Sequence, residues 1–124
     1  MALGYKIGRK LGEGKGRIAY ATSDPRVAIK KDKQGGRANL LEACIWRNAP
    51  ASLRSVLAPV IAVSDGGEWL AMRRATRYRG PEPHGHKWLK DRKSCNWGWI
   101  DGRLFLIDYA HQEVAAFAGL RCRA

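Results

Sequence analysis

Short runs of alternating hydrophobic and polar positions fill most of this chain, separated by turns rich in glycine, proline and aspartate. Residues 5–11 read as a strand entering the turn Gly12-Glu13-Gly14-Lys15-Gly16, and residues 17–21 as the returning strand. After Ser23-Asp24-Pro25, Val27-Ala28-Ile29 is a short buried strand ending at Lys30. The period then changes. Over residues 37–48, Leu40, Leu41, Cys44 and Ile45 recur at helical spacing, and Pro50 stops the helix. Ser52 caps a second, short helix through Leu57, which Pro59 ends. Residues 60–63 and 69–72 flank Ser64-Asp65-Gly66-Gly67, and residues 97–100 and 104–107 flank Asp101-Gly102; both read as hairpins. Residues 76–86 form a connector, and residues 112–120 a final helix. This order predicts an α+β fold: an antiparallel sheet of five strands with one principal helix, followed by a hairpin.

At 124 residues and 45% hydrophobic content, the chain suits one domain with a buried core. No apolar run reaches the about 18 residues that a membrane helix needs. The start, Met1-Ala2-Leu3-Gly4-Tyr5-Lys6, lacks an apolar signal core, so the expectation is a cytoplasmic protein without a membrane partner. Three cysteines (Cys44, Cys95 and Cys122) include no Cys-x-x-Cys pair, which argues against a secreted disulfide framework. His84 and His86 with Cys95 lack a fourth zinc ligand at usual spacing.

Charge changes the picture more. The net charge is +12, and residues 1–47 hold eleven Lys/Arg against four acids. Residues 94–124 are balanced at three and three. Such a basic chain favours polyanions: nucleotide phosphates, nucleic acid or an acidic protein surface.

The second hairpin carries a local geometric consequence. A two-residue turn at Asp101-Gly102 pairs residues whose numbers sum to 203. Asn96 then faces Ile107, with Asp108 the next residue, so two oxygen donors stand at one hairpin mouth. Such a pair suits Mg²⁺, which takes few protein oxygens and keeps phosphate and water ligands.

Five separated elements share one order with a known superfamily. Leu11-Gly12-Glu13-Gly14-Lys15-Gly16-Arg17-Ile18 resembles the glycine-rich loop of the protein-kinase-like superfamily, and Val27-Ala28-Ile29-Lys30 its third-strand lysine motif. Glu42 stands on the following helix as an ion-pair partner for that lysine. Asp91-Arg92-Lys93-Ser94-Cys95-Asn96 resembles the catalytic loop Asp-x-Lys-x-x-Asn, and Asp108-Tyr109-Ala110 stands in place of Asp-Phe-Gly. The resemblance spans about residues 4–110 and implies a kinase N-lobe-like part (1–75) and a reduced C-lobe (76–124) within one minimal domain.

It also implies roles, with ATP and Mg²⁺ as cofactors. Gly12, Gly14 and Gly16 would let backbone N–H groups approach phosphates. Lys30 would meet the phosphates and Glu42 would hold it; Asp91 would orient an acceptor hydroxyl and Lys93 steady the transferred group. Asn96 and Asp108 would hold Mg²⁺. Leu11, Ile18, Ala28 and Met72 would line the base pocket.

The pattern departs from the family in places. The glycine spacing, Gly12-x-Gly14-x-Gly16, is one residue short; Leu89-Lys90-Asp91 replaces His-Arg-Asp; Ala110 replaces a glycine. Fifteen residues separate Ala75 from Asp91, and sixteen follow Asp108, too few for an activation segment and a helical lobe. The expectation is therefore a minimal kinase-like protein that binds ATP and Mg²⁺, transferring the γ-phosphoryl group to a protein or small-molecule hydroxyl. The alternative is an inactive relative acting as an inhibitor or adaptor on a host protein or nucleic acid through its basic surface. Exposed apolar surface left by the lost lobe would favour a homodimer or a protein partner. Among five tryptophans, Trp46 and Trp69 are expected in the core, while Trp88, Trp97 and Trp99 are candidate interface anchors or, as a third reading, base-stacking platforms of a nucleic-acid binder.

Overall fold

The structure, a computed structural model, describes residues 1–81, 96–117, 119 and 122. Asp91 and Lys93 lie outside the described residues, as do His84, His86, Trp88 and Cys95. The strands are β1 (Ile7–Glu13), β2 (Arg17–Thr22), β3 (Val27–Asp32), β4 (Val60–Val63), β5 (Trp69–Arg73), β6 (Thr76–Arg77), β7 (Trp97–Ile100) and β8 (Arg103–Leu106). The helices are α1 (Arg37–Asn48), α2 (Ala51–Arg54) and α3 (Gln112–Phe117). The fold is α+β, as the periodicities predict: five antiparallel strands in the order β1-β2-β3-β5-β4, with α1 the one long helix. Thr76 and Arg77, expected in a connector, instead pair with β7 and complete a second sheet, β6-β7-β8. Two residues carry no period, so the sequence pattern had nothing to show there.

The β7–β8 register is the one that Asp101-Gly102 dictates. Trp97 faces Leu106 and Ile100 faces Arg103, while Asp101 (φ 50°) and Gly102 (φ 79°) both take the left-handed backbone of a two-residue hairpin turn. Ile107 N–H donates to the Asn96 carbonyl at 2.7 Å, extending the pairing by one step.

This hairpin is not a loose appendage. Leu106 N–H donates to Val56 O (2.8 Å), Ala58 N–H donates to Leu106 O (2.9 Å), and Tyr109 Oη donates to Ala58 O (2.7 Å). Leu41 and Ile45 of α1, Leu70 and Met72 of β5, and Trp97, Leu106, Tyr109 and Val114 beyond them share one buried cluster. A Leu, Ile or aromatic side chain removed from water contributes on the order of 2 kcal/mol, so this cluster is what fixes the hairpin against the sheet.

The entry to α1 depends on glycine and on a carboxylate at the end of the preceding strand. Gly36, at φ 86°, precedes the helix without a capping side chain. Asp32 caps instead, accepting from the N–H groups of Ala38 (3.0 Å) and Asn39 (3.3 Å). A Cβ on Gly36 would collide with the Gly66 carbonyl of the β4–β5 turn. Gly36→Ala is therefore expected to cost more than about 1 kcal/mol from the left-handed backbone alone, with the collision added, read as a lower denaturation midpoint.

The cysteines correct the sequence reading. Cys44 of α1 and Cys122, 78 residues apart, form a disulfide with Cα atoms 5.9 Å apart. The argument against disulfides from an odd count and absent Cys-x-x-Cys spacing fails for this pair, and with it the cysteine support for a cytoplasmic location. Among the described residues, no helix is long and apolar enough to cross a membrane.

The tryptophans divide differently from expectation. Trp97 is buried in the core and Trp99 is exposed with Tyr78 edge-on to it at 5.9 Å. Trp46 and Trp69 are half-buried, each under a cation: Arg54 at 5.0 Å and Lys31 at 5.5 Å from the ring centroids.

Candidate functional site

Antiparallel register decides which side chains share a face, because directly opposed residues point the same way. Lys30 opposes Ala19 on one side and Leu70 on the other; Ala28 opposes Ala21 and Met72; Asp32 opposes Arg17. Arg17, Ala19, Ala21, Ala28, Lys30, Asp32, Leu70 and Met72 therefore line one face of the sheet, the face on which Glu42 of α1 meets Lys30. Ile18 does not belong to it. It opposes Lys31, on the other face, so its predicted place in a base pocket with Lys30 is corrected: Ala19 is the β2 residue beside Ala28 and Lys30. Leu11 sits at a β1 irregularity between the Lys10 and Gly12 pairings and is exposed.

At one end of this face, four charged side chains converge. The Lys30 ammonium donates to Glu42 Oε1 and to the Ile107 carbonyl, both at 2.7 Å. Arg17 donates from Nη1 to Glu42 Oε1 (2.9 Å) and to Asn39 Oδ1 (3.2 Å), and from Nη2 to Glu42 Oε2 (3.3 Å). The same Nη2 donates to Asp108 Oδ1 at 2.5 Å. Tyr109 N–H completes the set with a 2.9 Å bond to Glu42 Oε2. Glu42 is wholly buried, the Lys30 and Arg17 side chains are 11% and 12% exposed, and Asp108 is 45% exposed. Asp108 is thus the member that faces solvent.

The burial sets the electrostatics. Burial alone would raise the Glu42 pKa, but Arg17 and then Lys30 outweigh it and hold the carboxylate at about 2. Lys30 is pulled down from its ordinary value, first by burial and then by Arg17 beside it; Glu42 and Asp108 offset this only in part. The two partners of one ion pair therefore differ, because a third charge is present. Arg17 takes the larger share of Glu42, and its own guanidinium is held above its ordinary value, Glu42 and Asp108 more than offsetting burial. The Tyr109 phenol is raised well above its ordinary value by burial and then by Glu42.

Of the residues that the sequence singled out, Lys30, Glu42 and Asp108 meet in this network, and Asn96 is buried at the mouth of the same hairpin. Ala28 and Met72 oppose each other on the Lys30 face, with Met72 in the core. The tip of the glycine turn is tied to the residue after β3: Lys33 Nζ donates to Gly14 O (2.8 Å) and to Glu13 (2.9 Å). Two shallow concavities of about 340 and 300 Å³ lie elsewhere, around Ala49–Arg54–Ser55 and around Lys33–Gly35–Glu68. Arg17 is the member of this network that sequence reasoning missed, because its place beside Glu42 follows from the β2–β3 register, which sets it opposite Asp32.

For a few-ligand Mg²⁺ site the chain offers the half-exposed Asp108 carboxylate, against which the Arg17 guanidinium already stands as a cation, and Asn96 on the adjoining chain of the hairpin. Among the described residues, no group of three or more His, Cys, Asp or Glu side chains surrounds one point. No protein-family model matches this chain, and no curated protein matches it significantly.

Proposed function

We propose that this protein is a minimal kinase-like domain that binds ATP and Mg²⁺ at the Lys30–Glu42–Asp108 network, a site whose chemistry is transfer of the γ-phosphoryl group to a protein or small-molecule hydroxyl. The observation that carries this reading is the meeting of β3, α1 and the end of β8 at one carboxylate: Lys30 bonds both Glu42 and the carbonyl immediately before Asp108. In that reading Lys30 and Arg17 bring positive charge to the phosphates, Glu42 fixes both, and Ala19, Ala28 and Met72 offer a small-residue surface to the base. Asp108 and Asn96 would hold the metal, which when bound neutralises phosphate charge.

A second argument concerns the glycines. Gly12 and Gly14 have no positive φ, and a Cβ at either would meet nothing within 4 Å. The fold itself does not demand glycine there, whereas close approach of a backbone to phosphates does.

One observation favours the alternative, an inactive kinase-like inhibitor or adaptor that docks on a host protein or nucleic acid through its basic surface. The Asp108 carboxylate already has a cation, Arg17. Thermal unfolding with and without ATP plus Mg²⁺ tests nucleotide binding. At a hundredfold its dissociation constant the ligand adds about 2.7 kcal/mol, and Asp108→Ala is expected to remove the Mg²⁺-dependent part. No stabilisation by any nucleotide would end the reading. Stabilisation without turnover of labelled ATP selects the inactive form.

A further inference from the structure

Arg17 occupies a position that the glycine pattern disguises. Counted from Lys30 through its cross-strand partner Ala19, the residue two earlier on the same face is Arg17, not Gly16. The spacing is thus Gly12-x-Gly14-x-x-Arg17: nothing is missing from the turn, and an arginine stands where the pattern expects a third glycine. Its guanidinium enters the network fully formed, fork to fork with Glu42, and spends its remaining reach on Asp108. The Glu42 contacts do not depend on Asp108. Arg17 can therefore let go of the half-exposed carboxylate and stay charged, buried and anchored.

We propose that Arg17 is a displaceable internal cation that guards Asp108, so that a divalent metal binds there only as Arg17 releases the carboxylate. This rests on the nucleotide and metal reading of the site and adds its regulation. A guanidinium at 2.5 Å from Oδ1 and a divalent ion on the same carboxylate repel each other, and water reaches this pair only from the half-exposed Asp108 side. Metal affinity is then set by how firmly Arg17 holds on, and the network selects metal delivered with phosphates, since these give the freed guanidinium a new anionic partner.

The test begins with metal alone. Mn²⁺ is titrated into the full chain while broadening of the Tyr109 backbone amide is followed by NMR, in the wild type, Arg17→Gln, Arg17→Lys and Asp108→Asn. Arg17→Gln is expected to lower the half-saturating Mn²⁺ concentration at least tenfold; Arg17→Lys, which keeps the charge but not the fork that spans Glu42 and Asp108, falls between Arg17→Gln and the wild type; Asp108→Asn abolishes the broadening. An Arg17→Gln protein with a native spectrum and unchanged Mn²⁺ affinity overturns the proposal. The wild type supplies a reading that needs no substitution. Its Arg17 Nε–H resonance is expected to shift as Mg²⁺ is added, and a resonance unmoved at the highest Mg²⁺ concentration also overturns it. Adding ATP separates the two claims. Tighter Mn²⁺ binding in Arg17→Gln with no stabilisation by ATP sinks the nucleotide reading and keeps the guard. Equal Mn²⁺ midpoints for the wild type and Arg17→Gln without ATP, together with stabilisation of both by ATP, sink the guard and keep the nucleotide.

Discussion

Glu42→Gln is expected to destabilise the fold by about 3–5 kcal/mol, the range found when one partner of a buried charge set is removed. The reason lies in what is left. Arg17 and Lys30 would remain almost wholly buried, two cations with Asp108 as their nearest carboxylate, and an amide offers Arg17 one acceptor where the carboxylate offers two. Glutamine preserves the volume, and with its oxygen kept toward Tyr109 N–H its NH₂ faces Lys30 and Arg17, so the loss reports charge and its hydrogen bonds rather than a cavity. A domain of this size has about 5–15 kcal/mol of stability in total. Urea unfolding checks it, and Lys30→Met in the Glu42→Gln background should recover part of the loss by removing an unpaired amine. A Glu42→Gln midpoint within error of the wild type would show that the network contributes nothing to the fold.

The same carboxylate gives a pH dependence whose sign is determined. Its folded pKa, about 2, lies below the ordinary value of 4.5. The stabilisation is therefore fully present above pH about 4.5 and is lost as the pH falls toward 2, where the folded state must also take up the proton. The shift corresponds to roughly 3 kcal/mol. Glu42→Gln should flatten stability over that window relative to the wild type. Lys30, with its pKa lowered, adds a second rise of stability with pH at the alkaline end: the cost of burying its charge is relieved once the pH rises past its folded value.

The parts of this fold that could be read in advance are those where chemistry is local. The helical recurrence of Leu41 and Ile45 marks α1 from Arg37 to Asn48, and the Asp101-Gly102 turn sets a register that places Asn96 opposite Ile107. Lys30 meeting Glu42 is one step further, and it was the resemblance that implied it; physically the pair needs only that the strand and the next helix pack together. Arg17 was not legible because its role depends on the β2–β3 register, and that register passes through a turn at Ser23–Asp24–Pro25 whose residue count admits more than one pairing. Ile18 was placed by counting the glycine pattern from Gly16; the register sets Ala19 beside Lys30, and an offset of one residue puts a side chain on the opposite face. Nor could the second sheet be read, since Thr76 and Arg77 gain their partner only when the hairpin docks. Burial of Leu106 and Tyr109 against α2 and its exit is long-range packing that leaves no mark in local spacing.

Breaking the Cys44–Cys122 bond, by reduction or as Cys44→Ser, is expected to cost about 4 kcal/mol, because releasing a cross-link across 78 residues returns that much loop-closure entropy to the unfolded chain. The bond joins the middle of α1, two residues beyond Glu42, to the buried Cys122 that follows α3. Two effects then separate in one experiment. Entropy released to the unfolded chain lowers the denaturation midpoint without touching the native network. Loss of a pin on α1 would also speed amide hydrogen exchange around Glu42 under native conditions. Since α1 is already held by Leu41 and Ile45 in the core and by Asp32 at its start, the expected result is the first without the second. Thiol titration of the denatured, unreduced protein should find one free cysteine of three. Three free thiols, or a Cys44→Ser midpoint equal to that of the oxidised wild type, would show that the cross-link does not form.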